Sequence, residues 1–453
     1  MDDLTVSHLN KKVGIIGMWM SCNYGAVMTS YALYRLVEQL GWDPILIDHS
    51  GKPGVHQRYR DLKTPYRQFI REKSLKTTPI LSKQNDFRAL NAYLGTFLVG
   101  SDQVWRYQYN KTSGLFFFLD FVSPKRKKIA YGSSIGTLKC LAPADLRRDA
   151  SMLLECFDGV SSRESSGVTI LQQQYGVDAE FVLDPVFMCD MKCYDDCCND
   201  SNRELPNEPY VLSYILDPNE DKRRIIQHVV NREKKQMINM VDAQFEFEKK
   251  KQALNLPNVV DSLSMNDWVF YIKHCDHLVT DSFHGVCFAI IFNKPFTCMG
   301  HKGRGLARFV SLFELFGLMG RMVEYSATGE ELDSLPEINW EKVNAIWTEK
   351  KAFSQEWLNN ALNAERPESK RMNNIIVNNL IQLRTEISAA RNVTALHSSY
   401  TNFKRKYRYY WFMSKLSWGK KRKKYKAKRK QALSLIKTIK KREREWLKAY
   451  CPE

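Results

Sequence analysis

Groups able to bind an anion and move a proton crowd into one stretch, Asp276 to Phe309, DHLVTDSFHGVCFAIIFNKPFTCMGHKGRGLARF. His277 to Thr280 reads as a short buried strand, Asp281 or Ser282 as an N-cap, and Phe283 to Phe292 as a buried helix stopped by the turn Asn293-Lys294-Pro295. His284 therefore falls in the first helical turn. Backbone N–H groups and the positive end of the helix dipole collect there, so an anion is favoured and the imidazole is kept neutral, available as a base. A second strand, Phe296 to Met299, runs into His301, Lys302, Arg304 and Arg308. Ligands of open α/β sheets bind at such strand ends. Each residue also has an ordinary structural role, since a helix-start histidine packs and Lys and Arg are commonly solvated; it is their clustering that argues for chemistry.

Other strands deliver polar groups to their carboxyl ends in the same way. The strand Lys12 to Met18 leads through WMSCNYG into the helix Ala26 to Leu40, with Asn23 a hydrogen-bonding side chain and Gly25 permitting close approach at the helix start. Pro44 to Asp48 completes a βαβ unit, and 51–95 reads as a helical excursion plus loop. Phe97 to Val99 opens into Ser101, Asp102 and Gln103, which suit a polyhydroxylated ligand or an ordinary Asx-turn equally well. Lys128 to Tyr131 is followed by Ser133 and Ser134, and Gly159 to Ser161 by Arg163 and Glu164. Arg163 could grip a carboxylate or phosphate in bidentate fashion, or pair with a neighbouring carboxylate. Phe181 to Leu183 closes this series; a second one, Tyr210 to Ile215, Asp221 to Arg232, Lys235 to Val241 and Ser264 to His274, leads back to the opening stretch.

The fold class expected is α/β, with two Rossmann-like domains facing a cleft and a helical basic C-terminal tail. The divisions are 1–187 and 210–325 for the two domains, 188–209 for a cysteine-rich connection, 326–396 for a helical segment packing back, and 397–453 for the tail. The net charge of +18 suggests nucleic acid at first sight, but 401–453 holds 20 Lys or Arg against three Glu, leaving the body close to neutral. The tail interleaves aromatic and basic residues, YTNFKRKYRYYWFMSKLSWGKKRKKYKAKRK, before a helical piece from Gln431 to Tyr450. That pattern favours an anionic membrane surface over nucleic acid. No run is long and apolar enough to span a bilayer and no secretory signal is legible, so the expected location is cytoplasmic, peripheral at the inner face of the plasma membrane. Eleven cysteines lie mostly in apolar segments as reduced thiols. Cys189, Cys193, Cys197 and Cys198 match no zinc spacing and read as a variable surface loop, with no metal site expected.

Taken in order, SCNYGAVMTSYAL, FLVGSDQVW, IAYGSSIG, GVSSRESSGV, LDPVF and LVTDSFHGVCFAIIFNKPF resemble the polysaccharide pyruvyl transferase family over roughly residues 12 to 320. The resemblance implies a two-domain fold similar to GT-B glycosyltransferases, and transfer of pyruvate from phosphoenolpyruvate to two hydroxyls of a sugar as a cyclic ketal. It implies no cofactor beyond the phosphoenolpyruvate donor, and as acceptor a sugar of a cell-surface polysaccharide or exopolysaccharide, or its lipid-linked oligosaccharide precursor. Arg163 matches the family arginine, His284 the histidine of its HG motif, and Lys302 a downstream cation, while Asn23, Gly25 and the GSDQ run fall at its glycine-rich loops. Ala26 and Ser282 depart from the pattern, standing where many members carry an acidic residue and an arginine. Residues and resemblance together nominate His284 and Asp102 for catalysis, and Asn23, Gly25, Ser101, Gln103, Ser133, Ser134, Arg163, Ser282, Lys302 and Arg304 for substrate binding. A GT-B-type glycosyltransferase using a nucleotide sugar is the alternative.

Overall fold

The computed structural model describes the chain except for residues 1–10, 21–22, 53–54, 56, 243–245, 301–304, 417–422, 431, 435, 438–439 and 442–453. Two parallel sheets carry the body. The first is built from β1 (Lys12–Ile16), β2 (Asp43–Leu46), β3 (Thr96–Val99), β4 (Lys127–Ala130), β5 (Gly159–Ser162) and β6 (Glu180–Phe181), in the order β2-β1-β3-β4-β5-β6. The second comprises β7 (Tyr210–Ile215), β8 (Gln236–Val241), β9 (His277–Thr280), β10 (Phe296–Met299) and β11 (Met322–Val323), in the order β11-β10-β9-β7-β8. Counted within its own sheet, each begins 2-1-3-4-5, so each has a topological switch point between its first and third strands, where the crossovers leave in opposite directions and open a crevice. Both sheets are buried on two faces, which is why β3 and β9 are covered at every position.

The helices that frame the crevice are α1 (Tyr24–Gln39), α2 (Met191–Asn199), α3 (Glu220–Glu233), α4 (Met265–His274), α5 (Phe283–Ile291), α6 (Leu306–Phe316) and α7 (Trp340–Asn363). Five begin where the sequence supplies a cap: Asn23 Oδ1 accepts from Ala26 N at 3.2 Å, Asn219 Oδ1 from Lys222 N at 3.0 Å, Ser282 Oγ from Gly285 N at 3.2 Å and Asn339 Oδ1 from Lys342 N at 3.0 Å, and Ser264 forms a capping box with Asp267. Asn293, at φ +51°, ends the turn after α5. α1 is buried over most of its length because it is sandwiched between the lobes. Its Tyr24 ring stacks on Trp268 of α4 at 5.9 Å, and Trp268 meets Phe288 of α5 edge-on at 4.9 Å. One apolar core therefore runs from the first sheet into the second, and residues 1–374 form a single compact unit instead of two lobes touching only at a cleft.

The cysteine-rich connection is a correction to the sequence reading. It forms α2, with Cys189, Cys197 and Cys198 buried in that core and Tyr194 packed edge-on against Phe288 at 4.9 Å. Nine residues are too few for a period to stand out in the sequence, but the helix is two-faced: Tyr194, Cys197 and Cys198 are buried while Lys192, Asp196 and Asn199 are exposed. α7 lies against the first sheet: Leu183 N donates to Ser354 Oγ at 3.0 Å, Trp347 Nε1 to Phe187 O at 2.9 Å, and Lys127 Nζ to Leu362 O at 2.6 Å. Residues 375–453 make a second compact unit. It is helical where described, with the helix Glu368–Leu416 entering it and 423–430 helical again; Tyr409, Trp411 and Phe412 are exposed, and Arg429 Nη2 donates to Tyr407 Oη at 2.9 Å. No described helix is long and apolar enough to cross a membrane. Most of the expected helix Gln431 to Tyr450 lies outside the described residues.

Candidate functional site

A cleft of about 170 Å3 opens where the two switch points face one another. Asn23 after β1 and Asp102 and Gln103 after β3 line it from the first lobe; Leu216 after β7, Asp281 to His284 after β9, and Arg308 and Phe309 on α6 line it from the second. The lobes close tightly here. Gly305, at φ +97°, precedes α6 so near the first lobe that a Cβ would stand 2.7 Å from Gly136 O.

His284 sits at the centre, almost wholly buried, at the start of α5. Its Nε2 is 2.9 Å from Thr29 Oγ1 on α1, 3.6 Å from Asp184 Oδ2, and 3.3 Å from Arg163 Nη1. In the tautomer protonated at Nε2, Thr29 and Asp184 accept and the Nδ1 lone pair is the basic atom; in the other, Arg163 Nη1, which can only donate, meets the lone pair on Nε2. Nδ1 makes no hydrogen bond among the described residues, and the ring lies flat against Gly25, whose missing Cβ would stand 2.0 Å from Nδ1. The close approach permitted by Gly25 is thus to this imidazole. Burial is the largest influence on the ring and, with the Arg163 charge, outweighs Asp184, so protonation is pushed below the usual imidazole range.

Arg163 is adjacent but is not among the residues that line the cleft, where the sequence reading had it grip a ligand. Its side chain is fully covered; Nη1 pairs with Asp184 and Nη2 with Asp102 Oδ1 at 3.1 Å. The bidentate fork is occupied by two protein carboxylates because β5 and the loops after β3 and β6 converge there. Burial would raise the carboxyl of Asp184, but Arg163 and the His284 hydrogen bond hold it far below the ordinary range. Asp102 behaves similarly, with Arg163, His284 and Arg308 outweighing its desolvation, so it is ionised. Its backbone is left-handed at φ +77°, which aspartate tolerates better than most residues. With Oδ1 engaged by Gln103 N at 2.8 Å and by Arg163, Oδ2 is the oxygen offered to the cleft.

Among the described residues, the cation that lines the cleft is Arg308. Its guanidinium lies over the Phe283 ring at 4.8 Å, with Arg163 over the same ring at 5.1 Å. Burial first, then repulsion from Arg163, pulls its pKa down to about 10, which still leaves it charged at neutral pH. An anion entering beside it also meets the uncapped N–H groups in the first turn of α5.

The remaining nominated residues divide. Asn23 and Gln103 reach the cleft, Asn23 as the α1 cap and Gln103 Oε1 accepting from Arg106 Nη1 at 2.6 Å. Ser282 lines it, with its hydroxyl engaged in capping. Ser101 is buried behind, donating to Asp184 Oδ2 at 3.2 Å. Ser133 and Ser134 are fully buried and not available to a ligand: Ser133 Oγ donates to Gly100 O at 3.2 Å and Ser134 Oγ to Glu164 Oε2 at 2.7 Å. They hold the loops after β3, β4 and β5 together, with Glu164 also accepting from Ile135 N and Gly136 N. Lys302, Arg304 and His301 lie outside the described residues. Among those described, no group of His, Cys, Asp or Glu could hold a metal ion.

Sequence reasoning passed over Thr29 and Asp184, both joined to His284 only by tertiary contact. Asp184 carried one signal, its place after a strand and before proline. It also missed Lys222 on α3, whose Nζ is 2.6 Å from Asp281 Oδ2 with both side chains fully buried. Asp281 also accepts from Leu216 N at 2.7 Å and Asp217 N at 3.1 Å, so its carboxylate ties β9 to the turn after β7.

Solved structures similar in overall plan include a glycosyltransferase from Rickettsia africae ESF-5 (10% identity, 83% of this chain and 97% of that one covered, TM-score 0.43). Others are UDP-GlcNAc 2-epimerases from Methanocaldococcus jannaschii (11%, 72% and 91%, TM-score 0.47) and from Neisseria meningitidis bound to UDP-GlcNAc (10%, 82% and 99%, TM-score 0.45). A search of curated proteins finds no match. Residues 23–303, more than half of the chain and enclosing the cleft from Asn23 to His284, match the model of one family, and the chain belongs to it: polysaccharide pyruvyl transferase.

Proposed function

We propose that the protein transfers pyruvate from phosphoenolpyruvate to two hydroxyls of a saccharide, forming a cyclic ketal on a cell-surface polysaccharide or its lipid-linked precursor. The observation that carries this reading is the meeting, at two facing switch points, of a neutral His284, an ionised Asp102 and a cleft-facing Arg308 beside a helix N-terminus. Arg308 and the α5 start would hold the carboxylate or phosphate of the donor. An acceptor hydroxyl attacks the enol carbon and gives its proton to His284 Nδ1 or Asp102 Oδ2, while the methylene takes up a proton and becomes methyl. A second hydroxyl then bonds to the same carbon as phosphate leaves, and the proton of that hydroxyl ends on phosphate. No redox step arises. A nucleotide-sugar donor fits less well at Asp281, a carboxylate of the second sheet's switch point, because it is bonded to Lys222, Leu216 N and Asp217 N.

Phosphate release from phosphoenolpyruvate that depends on a saccharide, with a product heavier by the pyruvyl group, tests the reading. Release unchanged in His284→Ala would remove the mechanism, and thermal protection by nucleotide sugars but not by phosphoenolpyruvate would remove the donor. The exposed Tyr409, Trp411 and Phe412 and the exposed Lys404, Arg405, Lys406 and Arg408 support a peripheral role at an anionic, cytoplasm-facing membrane surface, each cation contributing about 1 kcal/mol. Removing residues 397–453 should abolish sedimentation with phosphatidylserine vesicles and spare phosphate release; co-sedimentation that survives the deletion refutes the tail's role.

A further inference from the structure

A second hollow of about 270 Å3 lies on the other side of the α1 start from the cleft: Asn23 lines the first hollow and its neighbour Tyr24 the second. We propose that this hollow receives one uncharged sugar ring of the acceptor, an assignment that rests on the pyruvyl-transfer reading above.

Both lobes build it. Tyr24 and Pro65 come from the first, and Val241 at the end of β8, Phe247 and Val260 to Leu263 from the second. It therefore also lies at the carboxyl end of the second sheet, one strand over from the switch point that forms the cleft. Size limits the occupant. Ligand sites start at roughly 300 Å3, so this one suits a single ring better than an oligosaccharide. Its chemistry selects further. Phe247, Val241, Val260 and Leu263 offer an apolar wall for the C–H face of a pyranose, and among the described residues no cation lines the hollow to attract phosphate. At the exposed rim Ser262 Oγ donates to Asp261 Oδ1 at 3.0 Å, and Asp261 Oδ2 makes no hydrogen bond among the described residues, an acceptor open to sugar hydroxyls.

The rim is held before any ligand arrives. Arg203 Nη2 donates to Asp261 O at 2.9 Å, and its Nε to Asp267 Oδ2 at 3.2 Å at the start of α4. Tyr24 Oη donates to Leu263 O at 3.2 Å, tying this rim to the first turn of α1, the helix that also packs on His284. An acceptor ring seated here is linked to the donor cleft through the α1 start, where Asn23 lines one hollow and Tyr24 the other. The two hollows thus divide the work by charge, the dianionic donor and the reacting hydroxyls beside Arg308 and a neighbouring neutral ring of the acceptor beside Asp261.

Saturation-transfer NMR on the full chain, with methyl β-glucoside, methyl β-galactoside and N-acetylglucosamine as probes, tests the assignment without any turnover. At least one sugar should receive saturation on its ring protons, and both Val260→Trp, which fills the hollow, and Asp261→Asn, a mild change at the exposed rim, should weaken binding about tenfold. Phosphoenolpyruvate should not displace the sugar. No transfer to any of the three, transfer unaffected by both variants, or displacement by phosphoenolpyruvate overturns the inference. In the turnover assay the same variants should raise the acceptor KM and leave the KM for phosphoenolpyruvate unchanged. A wild type that binds sugar here but releases no phosphate would defeat the pyruvyl-transfer reading alone.

Discussion

Replacing Gly25 by alanine would put a methyl group where the His284 ring now lies. Built on the existing backbone, that Cβ stands 2.0 Å from Nδ1, 2.4 Å from Cγ and 2.6 Å from Cβ of His284. Ordinary carbon contacts are about 3.5–4 Å, so the imidazole must retreat by more than about 1 Å. Gly25 has no left-handed backbone to strain and sits in the first turn of α1, where alanine is the better helix former by up to about 1 kcal/mol. Against that gain stands overpacking of about 1–3 kcal/mol, so the variant should fold with a stability loss of no more than about 3 kcal/mol. Catalysis should suffer far more: a displacement of this size costs on the order of 100-fold in kcat, with the KM for phosphoenolpyruvate little changed because Arg308 is untouched. Phosphate-release kinetics on four chains, wild type, Gly25→Ala, His284→Ala and the double variant, decide it. Once the imidazole is gone the alanine has nothing to displace, so the double variant should be no slower than His284→Ala. A kcat within threefold of wild type for Gly25→Ala, or two losses that simply multiply, would refute the assignment of Nδ1 as the working base.

Arg163→Met leaves Asp184 and Asp102 without their shared partner and should cost about 3–5 kcal/mol, read as a fall in the urea midpoint at constant slope; a change under about 1 kcal/mol contradicts the pairing. Arg308→Gln should raise the KM for phosphoenolpyruvate by roughly 10- to 100-fold, the worth of one charge-assisted hydrogen bond, and an unchanged KM would remove it from the donor site. Two buried histidines outside the cleft set an acid limit on stability. Burial lowers His49 to about 4 and His277 to about 3, so below about pH 6.5 the unfolded chain binds protons that the folded chain does not. Stability should then fall with pH by about 1.4 kcal/mol per unit for each histidine, the loss for His49 ending near pH 4, and urea unfolding at pH 7 and pH 5 measures it. A free energy of unfolding equal at both values would show that neither ring is buried uncharged.

The sequence by itself determined the local architecture and the nature of the reacting groups. Apolar runs such as VGII, TFLV and HLVT announce strands covered on both faces, and the residues after them, Asn23, Asp102, Arg163 and His284, are placed at carboxyl ends whatever the tertiary arrangement. The cap at Ser282, one of two options with Asp281, was legible because a cap is satisfied within three residues, while Asn23, read only as a hydrogen-bonding side chain, proved to be a cap as well. The short β11 was not, since two residues carry no period. Only the tertiary structure decided which polar groups face a ligand and which face each other. Arg163, read as an anion grip, meets Asp184 and Asp102 across 21 and 61 residues of chain, and Arg308 takes the open position. Thr29 reaches His284 across 255 residues, and Gly25 serves the imidazole instead of a ligand. The physical reason is that a charged or polar side chain after a strand must be satisfied once buried, and its partner is fixed by how the strands are ordered and how two lobes share α1; sequence spacing encodes neither.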